Sequence, residues 1–183
     1  TSQHGEPVPG TAVTVTLEGR RPLLAEVQAL VAECTLTHPR RIVNGVESGR
    51  LAMVLAVLER RCGIRLSDRD VYSSTVGGAR VSDPAADLAV ALAVSSAAGN
   101  KPVPQRIVAL GEVGLAGELR RVPGTSRRLN EAARLGFVEA VIPAETRDSR
   151  EQMMTVHAGL VVHSVSTLDQ ALAALGLRPQ DLK

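Results

Sequence analysis

From Thr11 the chain alternates between apolar and polar positions: Val13, Val15 and Leu17 are separated by Thr14 and Thr16. A period of two marks a half-buried strand. Glu18-Gly-Arg-Arg-Pro22 reads as a loop. Beyond it, Leu23, Ala25, Val27, Ala29 and Val31 share one face while Glu26 and Gln28 take the other. The two segments are expected to pair as a hairpin. Thr37 to Gly45 reads as a basic loop. Leu51, Leu55, Leu58 and Cys62 then recur at helical spacing, which predicts a helix from about Glu47 to Cys62 with Gly63 as its C′ residue. Asp70 to Val76 predicts a short strand ended by Gly77-Gly78.

The sharpest helix start follows, with Asp83 as N-cap and Pro84 at N1. Ala85 to Ala98 are nearly all small and apolar, and a helix apolar on every side belongs at the centre of a fold. Strands are predicted at Arg106–Leu110, Leu115–Val122, Val138–Ile142 and Leu160–Val165, and helices at Thr125–Leu135 and Leu168–Leu175. The order β-β-α-β-α-β-β-α-β-β-α predicts one α/β (or α+β) domain over residues 11–183, with a mixed sheet and packed helices. Thr1 to Gly10, polar and holding two prolines and two glycines, reads as a linker.

Composition narrows the function classes. Of 183 residues 44% are apolar, yet there is no Trp, one Tyr (Tyr72) and one Phe (Phe137). The core must be Val, Leu and Ala, and platforms that stack bases on aromatic rings are excluded. No apolar run approaches the roughly 20 residues of a membrane span. The first ten residues lack the basic and apolar regions of a signal peptide. Cys34 and Cys62 are too few for a disulfide scaffold. These features lead us to expect a cytoplasmic protein. His4, His38, His157 and His163 show no ligand spacing, so no metal site is expected.

Net charge is only +2, but 19 of the 21 basic residues are Arg, including five Arg-Arg pairs. The guanidinium fork suits phosphate; a high-GC genome would enrich Arg, Ala and Val equally well. Both readings stay open on composition alone. P-loop, G-x-S-x-G and H-E-x-x-H motifs do not occur. The glycines of Gly111-Glu-Val-Gly-Leu-Ala-Gly117 fall between two predicted strands and read as turn geometry.

More specific is Val76-Gly-Gly-Ala-Arg-Val-Ser-Asp-Pro-Ala-Ala-Asp-Leu-Ala89, a glycine loop feeding a helix N-terminus. With Gly111-Glu-Val-Gly-Leu-Ala-Gly-Glu-Leu-Arg-Arg-Val-Pro-Gly-Thr-Ser126 it resembles the proteolytic domain of Lon proteases, and so implies that fold, the ribosomal protein S5 domain 2-like one. That family's Ser nucleophile and Lys base map onto Ala85 and Ser126, so the resemblance implies a lost peptidase site and no catalytic residue. Together with Glu18-Gly-Arg-Arg-Pro-Leu-Leu-Ala-Glu-Val27, Asn44-Gly-Val-Glu-Ser-Gly-Arg-Leu51 and Asp70-Val-Tyr72, these stretches resemble the C-terminal domain of RadA-type (Sms) bacterial DNA repair proteins, from Pro7 to about Leu175.

The RadA resemblance implies a non-proteolytic ring scaffold and sequence-independent DNA surface in a recombination ATPase that promotes branch migration. Residues 1–10 would then be a linker from an N-terminal ATPase domain. ATP, Mg and Zn would belong to that part, with no cofactor in this stretch. Implied partners are single-stranded or branched DNA, further copies in a hexameric ring, and a RecA-type recombinase, with no membrane. The candidate DNA contacts are Arg20, Arg21, Arg40, Arg41, Arg50, Arg80, Arg120, Arg121, Arg127 and Arg128. Arg60-Arg61, near a helix C-terminus, is left out because a dipole partner role explains it. Two rivals remain: an oligomerisation module without DNA contact, and a hydrolase using other residues, such as Asp87 with Ser82 or His157.

Overall fold

A computed structural model of the chain describes residues 6–145 and 153–182. In chain order the elements are β1 (Thr11–Glu18), β2 (Arg21–Glu33), β3 (Arg41–Asn44), α1 (Ser48–Cys62), β4 (Arg69–Thr75), α2 (Asp87–Gly99), β5 (Ile107–Ala109) and β6 (Glu112–Val113). They continue with β7 (Leu119–Arg120), α3 (Thr125–Arg134), β8 (Glu139–Pro143), β9 (Met153–His157), β10 (Leu160–Val165) and α4 (Leu168–Ala174).

The expected hairpin forms, with Thr11 opposite Gln28 and Glu18 opposite Arg21. The single mixed sheet expected from the sequence is instead two mixed sheets and a ribbon. One sheet has the order β1-β2-β4-β3, the other β5-β8-β10-β9, and β6 pairs with β7 alone. β3 runs parallel to β4, and β9 antiparallel to β10. The sequence assigns the segment of β3, Thr37 to Gly45, to a loop and predicts no strand over β9. Among the described residues each is a short edge strand with one neighbour, and neither shows an alternating apolar face: Ile42, Met153, Met154 and Val156 are all exposed. The strand expected over Leu115–Val122 shrinks to β7, because Gly114 and Gly117 turn the chain there and Leu115 is left 69% exposed.

α2 sits where its composition places it. Residues from Asp87 to Ser96 are all buried, with β1, β2, α1, α4, β5 and β6 around the helix. Its two serines are satisfied internally: Ser95 Oγ donates to the Ala91 carbonyl at 2.7 Å, and Ser96 Oγ accepts from the Gly10 amide at 2.8 Å. The Ala29 amide also donates to the Gly10 carbonyl at 2.7 Å. The last residue of the expected linker is thus seated on the domain, while residues 1–5 of that segment lie outside the described residues. A second cluster, with Val15, Ala85, Leu129 and Leu160, lies between β1, α3 and the second sheet.

Candidate nucleic-acid interface

The turn before α2 organises the site. Asp83 takes extended backbone and accepts from the Ala85 amide at 3.0 Å, capping the 3-10 turn Pro84–Ala86 that leads into α2. Its other oxygen accepts from the Leu17 amide of β1 at 3.0 Å and from Arg128 Nη1 of α3 at 2.6 Å. Arg128 is 1% exposed in its side chain, and Asp83 15%. The same guanidinium donates to the Val15 carbonyl and, through Nε, to the Pro123 carbonyl, both at 2.9 Å. One ion pair therefore ties β1, the α2 entry and α3 together. Burial opposes ionisation of Asp83, but the hydrogen bonds from Arg128, Ala85 and Leu17 outweigh it and hold the carboxyl below its ordinary pKa.

Above this pair lies a cleft of about 490 Å³ lined by Leu17, Gly19, Ser82, Pro123, Gly124 and Arg127, with Asp83 and Arg128 also on its wall. It joins the β1–β2 turn, the loop ahead of α2 and the start of α3. Gly124, at φ 71°, precedes α3 on the cleft wall and offers no side-chain cap, and the first turn of α3 holds no acidic residue. Arg127 reaches the Arg20 carbonyl at 3.4 Å. Arg80 stands just ahead of Ser82, and Arg121 just ahead of Val122-Pro123. Arg20, Arg21, Arg80, Arg121 and Arg127 are all exposed, and none of them forms an ion pair with another described residue. Glu18, two residues ahead of Arg20, is also exposed.

The remaining predicted contacts go elsewhere. Arg128 is spent inside the fold. Arg50 binds Asp87 through two bonds of 2.7 and 2.5 Å, and Asp87, 2% exposed, also accepts from the Val113 amide at 3.1 Å. Arg41 spreads its guanidinium over the carbonyls of Arg40, Leu66 and Arg69. Arg120 pairs with Glu118 at 3.0 Å and Glu112 at 3.8 Å. Arg40 is exposed but lies on the approach to β3, away from the cleft's lining. Of the ten residues, Arg127 and the internally spent Arg128 line the cleft, Arg20, Arg21, Arg80 and Arg121 flank its lining in sequence, and Arg40, Arg41, Arg50 and Arg120 do not. Sequence reading missed the two structural pairs, Asp83–Arg128 and Asp87–Arg50; a central apolar helix opening on two carboxylates was the available signal, since carboxylates drawn toward a core need cations.

The positions matched to the peptidase dyad do not meet as chemistry. Ala85 is 0% exposed, its amide bound to Asp83 and its carbonyl accepting from Gly111 at 2.9 Å. Ser126 is exposed on the first turn of α3. The alternative base Asp87 is held by Arg50, and His157 meets Asn130 at 3.0 Å.

A larger cleft of about 970 Å³ lies over the open face of β2, β3 and β4. Tyr72 and Phe137 both line it, but so do Glu6 and Glu26, against Arg106 as the one guanidinium. Its charge does not suit phosphate.

Comparison with known proteins adds a lineage. The chain is 51% identical over 167 residues to DNA repair protein RadA of Mycolicibacterium smegmatis, covering 91% of this chain and 36% of that protein. It is 44% identical to DNA repair protein RadA of Haemophilus influenzae (95% of this chain, 37% of that protein). To DNA repair protein RadA of Escherichia coli it is 42% identical (94% and 36%). The chain therefore spans about a third of the length of the curated relatives it matches. The family described as subunit ChlI of Mg-chelatase matches residues 77–146, the stretch that holds the α2 entry and α3. Among the described residues, no helix is long and apolar enough to cross a membrane.

Proposed function

This chain belongs to the family of DNA repair protein RadA, of whose length it spans about a third, and from that premise we propose that it serves DNA repair as a non-proteolytic, Lon-like domain that contacts the DNA backbone. The observation that carries the reading is the cleft at the α2 entry: the exposed guanidinium of Arg127 on its wall over a neutralised ion pair, with the exposed Arg20, Arg21, Arg80 and Arg121 within two residues in sequence of its lining. Exposed arginine at the cleft, a helix N-terminus with no side-chain cap and no aromatic side chain on the cleft wall together favour backbone charge over base identity. Binding is accordingly sequence-independent. It is weak for one copy and gains when several copies act together, as in the ring the resemblance implies. ATP, Mg and Zn belong, on the same reading, to the other two thirds of a RadA-type protein.

Peptidase chemistry has no place in this reading. At the matched positions a buried methyl stands for the nucleophile and an exposed hydroxyl for the base. A second reading, an oligomerisation module without DNA contact, draws on Arg41, Arg50, Arg120 and Arg128, whose guanidiniums are spent within the fold. Anisotropy titrations with labelled duplexes of unrelated sequence separate the two. The DNA reading expects equal affinity for all of them, lowered at least about tenfold by Arg20→Glu with Arg127→Glu. No affinity at low salt would favour the scaffold.

A further inference from the structure

The chain has no Trp, one Tyr and one Phe, and both aromatic side chains, Tyr72 and Phe137, line the cleft of about 970 Å³ over the first sheet. Aromatic side chains concentrate where proteins bind partners. Strand register orders the cleft floor into rows. Leu30 of β2 lies opposite Tyr72 of β4, and Tyr72 opposite Ile42 of β3. Two residues along, Gln28, Ser74 and Asn44 stand opposite one another in the same way. Two residues further on β2 comes Glu26, opposite Val13 of β1. The first row is apolar and open, with Leu30 61% and Ile42 48% exposed. The second offers amide and hydroxyl groups, and the third a carboxylate. Glu26 is half-buried, and among the described residues no ion pair holds it. Glu6 adds a second carboxylate to the lining, against Arg106 as the one guanidinium. Arg106 is fixed at φ 60° by its carbonyl, which accepts from the Val138 and Glu139 amides at 2.9 and 3.2 Å.

We propose that this cleft takes an extended peptide segment of a protein partner, with an apolar side chain at one position, a polar one two residues on and Lys or Arg two residues beyond that. The rows repeat every two residues of strand, about 6.6 Å. Side chains on one face of an extended peptide repeat at the same interval, so a segment lying along β2 meets the three rows in turn. Its apolar side chain covers the row of Leu30, Tyr72 and Ile42, which is otherwise open to water. Its polar one exchanges hydrogen bonds with Gln28, Ser74 and Asn44. Its cation answers Glu26 and Glu6, whereas an acidic segment would set like charge against them. The same carboxylates reject a nucleic-acid strand, despite the two rings. The cleft shares no lining residue with the one at the α2 entry, so this inference stands or falls apart from the DNA reading.

Tyr72 is the single tyrosine of a chain without Trp, so intrinsic emission reports on the cleft itself. The test titrates the 183-residue chain with the synthetic peptides Ser-Leu-Thr-Gln-Thr-Arg-Ser and Ser-Arg-Thr-Gln-Thr-Leu-Ser, which carry the pattern in the two chain directions, up to about 1 mM. Counterparts with Glu in place of Arg, and oligothymidylate, are the comparisons. Glu26→Lys and Leu30→Asn are the variants; Glu26 is half-buried and Leu30 exposed, and circular dichroism checks that both variants fold. The proposal expects a saturable change in Tyr72 emission with one Arg peptide, binding at least about tenfold weaker for its Glu counterpart and for Leu30→Asn, and a reversed preference in Glu26→Lys. No change with either Arg peptide, equal response to the Arg and Glu peptides, either variant binding like wild type, or a response to oligothymidylate alone would each overturn it. So would Tyr72 emission that shifts with the chain's own concentration while the peptides do nothing, since a second copy would then be the occupant.

Discussion

Arg128 Nη1 lies 2.6 Å from Asp83 Oδ2, in a pair that also holds the Leu17 amide, the Ala85 amide and the carbonyls of Val15 and Pro123. Three elements distant in sequence converge on two side chains. Removing one partner strands a buried charge, which costs about 3–5 kcal/mol. Asp83→Ala and Arg128→Met should each lower folding stability by that order in urea titrations. The double variant should cost less than the two single costs combined, because the second change removes the charge the first left unpaired.

Asp83 also sets an acid dependence. Its folded pKa lies below the unfolded value of about 3.9, so its contribution is fully present above that pH and is lost as pH falls through the folded value. Glu59, Glu118, Glu131 and Asp181 shift the same way, but nearer the surface, where solvent screens them. Denaturant midpoints measured from pH 6 down to about pH 3 should fall steeply for wild type and less steeply for Asp83→Asn.

Peptidase activity should be absent and not recoverable by a single change. Ala85→Ser would place a hydroxyl in a site with 0% exposure and no amine at the matched position, Ser126. The variant should neither cleave an unfolded protein nor react with a serine-directed phosphonate. Covalent labelling seen by mass spectrometry would contradict this.

Gly10 tests where the domain begins. At φ 95° it is seated between the Ser96 hydroxyl and Ala29, and a Cβ there would run into the Ala29 carbonyl oxygen, a backbone atom that cannot swing aside. Gly10→Ala should cost at least about 2 kcal/mol. Thermal melts unchanged by the substitution would return residue 10 to the linker.

Much of this fold was legible because its signals are local. Alternation fixed β1 and β2, the small apolar run placed α2 at the centre, and Asp83-Pro84 marked its entry. β3 and β9 were not legible, since an edge strand with one neighbour needs no alternating face; their partners, β4 and β10, are set by topology. The same distinction divides the arginines. Arg50 and Arg128 look like surface cations in sequence and prove to be counter-ions to Asp87 and Asp83 at the entry of α2, because the pairing joins residues 37 and 45 positions apart. Arg20 and Arg127 meet only through the folding of the β1–β2 turn against α3, where Arg127 reaches the Arg20 carbonyl.

The most direct test of the DNA-backbone reading is the salt dependence of duplex binding by the chain, set beside the Arg20→Glu, Arg127→Glu variant and an Arg60→Glu, Arg65→Glu control away from the cleft lining. Each phosphate neutralised contributes about −0.9 to the slope of log K against log salt. The wild-type chain and the control should share one slope, and the cleft variant should be shallower by roughly 2, with weaker binding to every sequence alike. Equal slopes for the cleft variant and the wild type, or no binding by wild type at low salt, would contradict the account.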